Sequence, residues 1–204
     1  AAVRTNAAHE MVPRGWLLLS EAQMATKDYQ AAEATLQPFA GRLLDPKMAW
    51  QGQYLLCRIQ LADGRTNSAL QGTTNLLVLA VKAGQANLQA DSAAFQASLL
   101  ERLGLTDEAL KAYQNNLAEG VPAERQHQAL LKITELSLAQ DRIPQAMQML
   151  EQFLGRYTNA ATADLALLTL GELRLRQYET RADTNLMVNV ATNTPGATNG
   201  LQLA

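Results

Sequence analysis

Four alanines recur in this chain at a spacing that few folds accommodate. Ala32, Ala69, Ala109 and Ala146 are separated by 37, 40 and 37 residues. The same short unit surrounds each: Lys27-Asp-Tyr-Gln-Ala-Ala32, Gly64-Arg-Thr-Asn-Ser-Ala69, Gly104-Leu-Thr-Asp-Glu-Ala109 and Asp141-Arg-Ile-Pro-Gln-Ala146. A helix is expected to stop at the head of each unit, a cap to follow, and a second helix to open near the alanine. Twelve positions before the alanines stand Ser20, Cys57, Ala97 and Thr134, all small. Four positions after them stand Leu36, Thr73, Tyr113 and Leu150, mostly large. Two small residues at a crossing let paired antiparallel helices approach, and a large one fills the groove to the next pair. A helix–turn–helix period in this range implies stacked repeats.

Helical periodicity runs through the chain, and strand alternation is nearly absent. The first pair is expected over residues 14–26 and 29–44, with Pro38 kinking the second helix or marking its late turn. Asp45-Pro46 reads as a cap and first-turn proline for a helix that stops at Asp63-Gly64. Its partner is expected over 66–82. The third pair is expected over 88–103 and 106–119, with Thr106 as N-cap, and the fourth over 123–140 and 143–156. A fifth first helix over 160–178 carries Leu165, Leu168, Leu170, Leu173 and Leu175. The segment Asn193-Thr-Pro-Gly-Ala-Thr-Asn-Gly200 has turn composition, so an irregular tail is expected from Thr180. The domain reading is a lead-in over 1–13, repeats over 14–178 and a polar tail over 179–204.

These residues resemble the tetratricopeptide repeat family. Trp16, Leu19, Ser20, Tyr29, Ala32, Leu36 and Phe39 stand at the spacing of its signature positions. The resemblance implies an all-α fold, a right-handed α-solenoid of antiparallel helix pairs forming a superhelix. Leu150-Glu-Gln-Phe-Leu-Gly-Arg-Tyr157 and Ala163-Asp-Leu-Ala-Leu-Leu-Thr-Leu-Gly-Glu172 look like the variant found in bacterial envelope members, such as the periplasmic partner of the Tol–Pal system and outer-membrane assembly lipoproteins. Periplasm or outer-membrane periphery is therefore the expected location, with cytoplasm as the alternative. The chain departs from the family at Thr73, where a bulky residue is usual, and its spacers exceed the basic repeat.

In a tetratricopeptide array the first helix of each pair lines the inner face. Counting from each small residue places Leu17, Glu21 and Met24 there, then Tyr54, Arg58 and Leu61, then Ala94, Ser98 and Glu101. Leu131, Glu135 and Leu138 follow, and then Leu168, Glu172 and Leu175. One register position reads Glu21, Arg58, Ser98, Glu135 and Glu172, unlike the Lys/Asn/Arg set with which family members clamp a terminal carboxylate. A leucine-rich groove with mild acidic bias is expected, suited to an amphipathic helix or an apolar segment with basic neighbours.

Charge and chemistry exclude several classes. The net charge is −2 with both signs interspersed, so no phosphate-binding face and no nucleic-acid partner is expected. The longest apolar run, Leu76-Leu-Val-Leu-Ala-Val81, is too short to span a bilayer. Cys57 is the single cysteine, which removes internal disulfides and cysteine metal sites; it reads as a small hydrophobe between helices. His9 and His127 lack metal-ligand spacing. Asp107 and Glu108 read as partners of a helix N-terminus rather than, with Asp183, an acid–base pair. Trp16 and Trp50 read as core. No catalytic, cofactor or metal site is expected, and the chain is not read as an enzyme. The expected role is an interaction scaffold for a protein or peptide, within a larger envelope protein because both ends look cut. Alternatives are a spacer or self-association arm through the end repeats, or an accessory region of a multidomain enzyme.

Overall fold

The helices of each pair are joined by one recurring turn. The computed structural model describes residues 11–41, 44–157 and 162–192. Helix α1 (Met11–Ala25) is paired with α2 (Tyr29–Leu36), and α3 (Pro46–Ala62) with α4 (Thr66–Ala83). Helix α5 (Ala86–Arg102) precedes α6 (Thr106–Gln114), α7 (Ala123–Ala139) precedes α8 (Ile143–Arg156), and α9 (Ala163–Thr192) ends the described chain. Between α1 and α2, the Asp28 N–H donates to the Gln23 carbonyl at 2.9 Å and the Lys27 N–H to the Met24 carbonyl at 3.0 Å. This nested pair of bonds ends a helix when the residue between them is left-handed. The same pair recurs from Arg65 and Gly64, from Leu105 and Gly104, and from Arg142 and Asp141. The left-handed residues are Lys27 (φ 63°), Gly64 (φ 78°), Gly104 (φ 72°) and Asp141 (φ 55°).

Each turn delivers its alanine to one place. The N–H groups of Ala32, Ala69, Ala109 and Ala146 donate to the carbonyls of Asp28, Arg65, Leu105 and Arg142 at 2.9–3.2 Å. All four alanines are 0% exposed. Ser20, Cys57 and Ala97 are equally buried, and the Ser20 hydroxyl donates across the helix pair to the Ala32 carbonyl at 3.0 Å. Thr134 is only half-buried, and its hydroxyl donates to the Leu130 carbonyl within its own helix. Close approach also demands glycine: a Cβ added at Gly72 would stand 2.6 Å from Cys57 Sγ, a separation that would force the helices apart.

The chain divides into two compact units, Ala1–Leu136 and Ser137–Ala204. In the first, α1 packs on α2 and α3, α3 on α4, α4 on α5, and α5 on α6. One core cluster joins Ala32, Leu36, Leu55 and Ile59, with Leu17, Met24 and Phe39 packed against it. A second joins Trp50, Leu76, Ala80 and Leu88, and a third Cys57, Ala69 and Leu99. Each buried leucine or isoleucine contributes about 1.5–3 kcal/mol of transfer free energy. In the second unit α8 packs on α9, with Ala146, Leu150, Phe153, Ala166, Leu170 and Leu173 buried.

Several helix ends differ from the bounds expected from the sequence. Regular α-helix in α2 stops at Leu36, and Gln37–Gly41 tightens to a 3-10 turn, because Pro38 has no N–H to continue the ladder. Helix α6 tightens likewise at Asn115–Leu117. Thr106 is the first helical residue of α6, and Leu105 occupies the cap without a side-chain bond, because the preceding turn already sets the backbone entry. Asp45 does cap α3, accepting from the N–H groups of Lys47 and Met48. Helix α9 runs to Thr192 instead of ending near residue 178, since residues 172–192 contain neither glycine nor proline. Residues 1–10 of the lead-in and 193–204 of the tail lie outside the described residues.

Lysine at a left-handed position is strained, whereas glycine adopts it freely. Lys27→Gly is therefore expected to raise stability by about 0.5–1 kcal/mol, after its greater unfolded-state entropy is offset. Urea denaturation checks this, and an unchanged or lowered midpoint would contradict the turn geometry.

Candidate functional site

Tyr54, one helical turn after Trp50 on α3, is the centre of an aromatic ladder. Its ring stacks on Trp50 with centroids 5.0 Å apart and planes 8° apart. Phe95 of α5 meets it edge-on at 5.2 Å, an arrangement favoured by the ring quadrupoles. The Arg58 guanidinium lies 5.9 Å from the Tyr54 centroid, one further turn along α3. Trp50 is held from below: its indole N–H donates to Ser92 Oγ at 2.8 Å, and that hydroxyl donates to the Leu88 carbonyl at 2.7 Å.

Two hollows share Tyr54 as a wall. One, of about 620 Å³, is lined by Arg14, Leu17, Leu18 and Glu21 of α1 and by Asp45, Lys47, Met48, Trp50, Gln51, Leu55 and Arg58 at α3. The other, of about 480 Å³, is lined by Asp91, Ala94, Phe95 and Ser98 of α5, Tyr113 and Asn116, and Arg125, Gln128, Ala129, Leu131, Lys132 and Glu135 of α7. Both are open depressions with mixed apolar and polar walls, of the size that takes side chains of a bound segment.

The charges of the second hollow are mutually matched. Arg125 Nη2 lies 2.6 Å from Asp91 Oδ1. Lys132 Nζ lies 3.1 Å from Glu101 Oε1 and 3.0 Å from Glu135 Oε2, and these carboxylates hold its ammonium above the usual lysine range. The Tyr113 hydroxyl donates to Glu101 Oε2 at 3.1 Å. Burial first, and then the Glu101 carboxylate, push the Tyr113 phenol well above its ordinary pKa. Asn116 is buried and its amide donates to the Ala90 carbonyl at 2.9 Å, which fixes the floor. Burial raises the Cys57 thiol, only partly opposed by the Gln53 side chain, so Cys57 behaves as packing rather than as a nucleophile.

Of the inner-face residues expected from the sequence, Leu17, Glu21, Tyr54 and Arg58 line the first hollow. Ser98, Leu131 and Glu135, with Tyr54 and Ala94, line the second, and Glu101 is tied to it through Lys132. Met24 and Leu61 instead pack against core clusters. Leu138, Leu168 and Glu172 belong to the second unit, where Leu168 is 62% exposed. The expected acidic bias fails at the first hollow, which gathers Arg14, Lys47 and Arg58 against Glu21 and Asp45. Arg14 and Lys47 escaped the register count because they stand on different helices, α1 and α3, at positions outside the counted register. Asp91, Arg125 and Lys132 were missed because their partners lie 31–34 residues away in sequence, a separation that becomes a contact only once repeats are stacked.

His127 is exposed on α7, and Asp107 and Glu108 sit in the first turn of α6. His9 and the Asp183 side chain lie outside the described residues. Among the described residues no group of three or more His, Cys, Asp or Glu side chains could hold a metal ion. No helix among them is long and apolar enough to cross a membrane.

A phenol raised by folding stabilises the native state fully below its unfolded pKa, near 10, and this is lost as pH rises through the folded value. Wild type should therefore lose stability above about pH 10 more steeply than Tyr113→Phe. That variant gives up one hydrogen bond and should cost about 1 kcal/mol at neutral pH. Thermal melts between neutral and strongly alkaline pH check both, and parallel curves would contradict the role of Tyr113.

No family model matches the sequence, and no curated protein matches it. Solved structures do match in fold. A kinesin-light-chain-like protein of Podosopora anserina built of nearly identical TPR-like repeats aligns at 15% identity and a TM-score of 0.59, over 91% of this chain and 96% of that one. A single-substitution variant of the same protein aligns at 15% identity and a TM-score of 0.58, over 90% and 96%. BtubC (BKLC) from P. vanneervenii aligns at 17% identity and a TM-score of 0.53, over 100% and 92%. The all-α fold is thus that of TPR-like helical repeats.

Proposed function

We propose that this chain is a non-catalytic interaction scaffold that holds a segment of a protein partner along the groove centred on Tyr54. The observation that carries this reading is the pair of hollows meeting at one aromatic ladder, on the first helices of successive pairs. Rigid helices present those side chains, and ring stacking fixes them before a partner arrives, which lowers the ordering cost of binding. The likeness of 150–157 and 163–172 to repeats of bacterial envelope proteins supports a place at the periplasm or outer-membrane periphery, within a larger envelope protein. Capture from envelope extract tests the reading. Tyr54→Ala combined with Leu131→Asp should lose the captured protein while retaining helical content, and undiminished capture would overturn the groove assignment.

A second reading, self-association, is favoured by one face of α9. Leu167, Leu168, Leu175 and Tyr178 are 56–71% exposed on that helix, an apolar surface of the kind that marks interfaces. Light scattering on the wild-type chain should then report a dimer that Leu168→Glu with Leu175→Glu converts to monomer. A wild-type monomer at high concentration would dismiss it.

A further inference from the structure

Cations at the first hollow differ in their pairing from those at the second, Arg125 and Lys132. Arg65, Arg125, Lys132 and Arg174 each lie within 3.1 Å of a carboxylate. Arg14, Lys47 and Arg58 have no such partner among the described residues. Of the two carboxylates on the same wall, Asp45 accepts from the N–H groups of Lys47 and Met48 and opens a helix, a setting that already neutralises much of its field. Arg58 is half-buried with its guanidinium over the Tyr54 ring, which orients it while leaving its donors unfilled. The same wall carries apolar side chains, Leu17, Met48 and Trp50 among them.

We propose that the first hollow selects a protein segment in which acidic side chains flank an apolar residue, with the carboxylates at Arg14, Lys47 and Arg58 and the apolar residue against Leu17 and Tyr54. This rests on the reading of the groove as a protein-binding surface and adds its selectivity. Charge complementarity is the physical ground: unpaired cations beside a desolvating apolar wall favour carboxylates and repel basic flanks. The second hollow has no comparable excess, since Arg125 and Lys132 are already matched. A bound segment therefore acquires a direction, with its acidic part over α1 and α3 rather than over α5 and α7.

The test uses the full chain and three synthetic peptides of about ten residues sharing one apolar centre, flanked by aspartates, serines or lysines, a length matched to a groove-bound segment. Fluorescence polarisation should show the aspartate peptide binding about tenfold more tightly than the serine peptide, and the lysine peptide weakest. The advantage should shrink as salt rises. Arg14→Glu with Arg58→Glu should reverse the order; Lys47→Glu, at an exposed position, gives a weaker shift in the same direction if the double variant does not fold. Equal binding of all three peptides overturns the selectivity and leaves the groove reading standing. Binding by none overturns both. Displacement of the aspartate peptide by a single-stranded oligothymidine at similar concentration also overturns it, because the cations would then serve phosphates.

Discussion

The helix pairs of this molecule depend on two helix backbones coming close enough that only small side chains, such as alanine, serine or cysteine, fit between them. Ala32 and Ser20 show the consequence most directly, since the Ser20 hydroxyl donates to the Ala32 carbonyl at 3.0 Å. A close crossing converts weak dispersion into many simultaneous contacts. It also makes the register unforgiving, because one residue of slip would bring a leucine or a glutamine into the same space. The turn supplies that register. Its two nested hydrogen bonds and left-handed residue leave no freedom in how far the second helix advances before its first buried side chain.

The groove is a by-product of that arrangement. When small residues set the crossing within a pair, the neighbouring turns of each first helix are freed to face a shared surface. Trp50 and Tyr54 occupy such turns, and Phe95 reaches them from the next pair. The ion pairs Arg65–Glu33, Arg125–Asp91 and Lys132–Glu101 join positions 31–34 residues apart. Each is about one-third exposed on either side, so each contributes little more than about 0–1 kcal/mol. The second and third of them also orient the side chains of Arg125 and Lys132 on the wall of the second hollow.

The pairing of helices was legible from the sequence because its signals are local. Gly64, Gly104 and Asp141 announce turns, and the alanines follow at a fixed interval. Lys27 was legible only by analogy with the other three, since nothing in lysine favours a left-handed backbone. The length of α9 was not legible from its leucines: the apolar spacing weakens after Leu175, but no residue there stops a helix. Within the groove, Tyr54, Arg58, Ser98 and Leu131 followed from counting along each first helix separately. Its charge did not, because Arg14 and Lys47 come from different helices, and a count along any one of them never sets the two side by side.

The intervals across the turn never vary: five residues from the left-handed position to the alanine, and twelve from one small residue to the other. All differences in repeat length fall outside that span. Helix α2 has 8 residues before it tightens, whereas α4 has 18. Insertions and deletions in the second helix or its connector leave the crossing untouched, while a single residue gained or lost inside the turn would disrupt it. A chain built this way can lengthen by duplicating whole periods, and its ancestry is expected to be written in the connectors rather than in the hairpins.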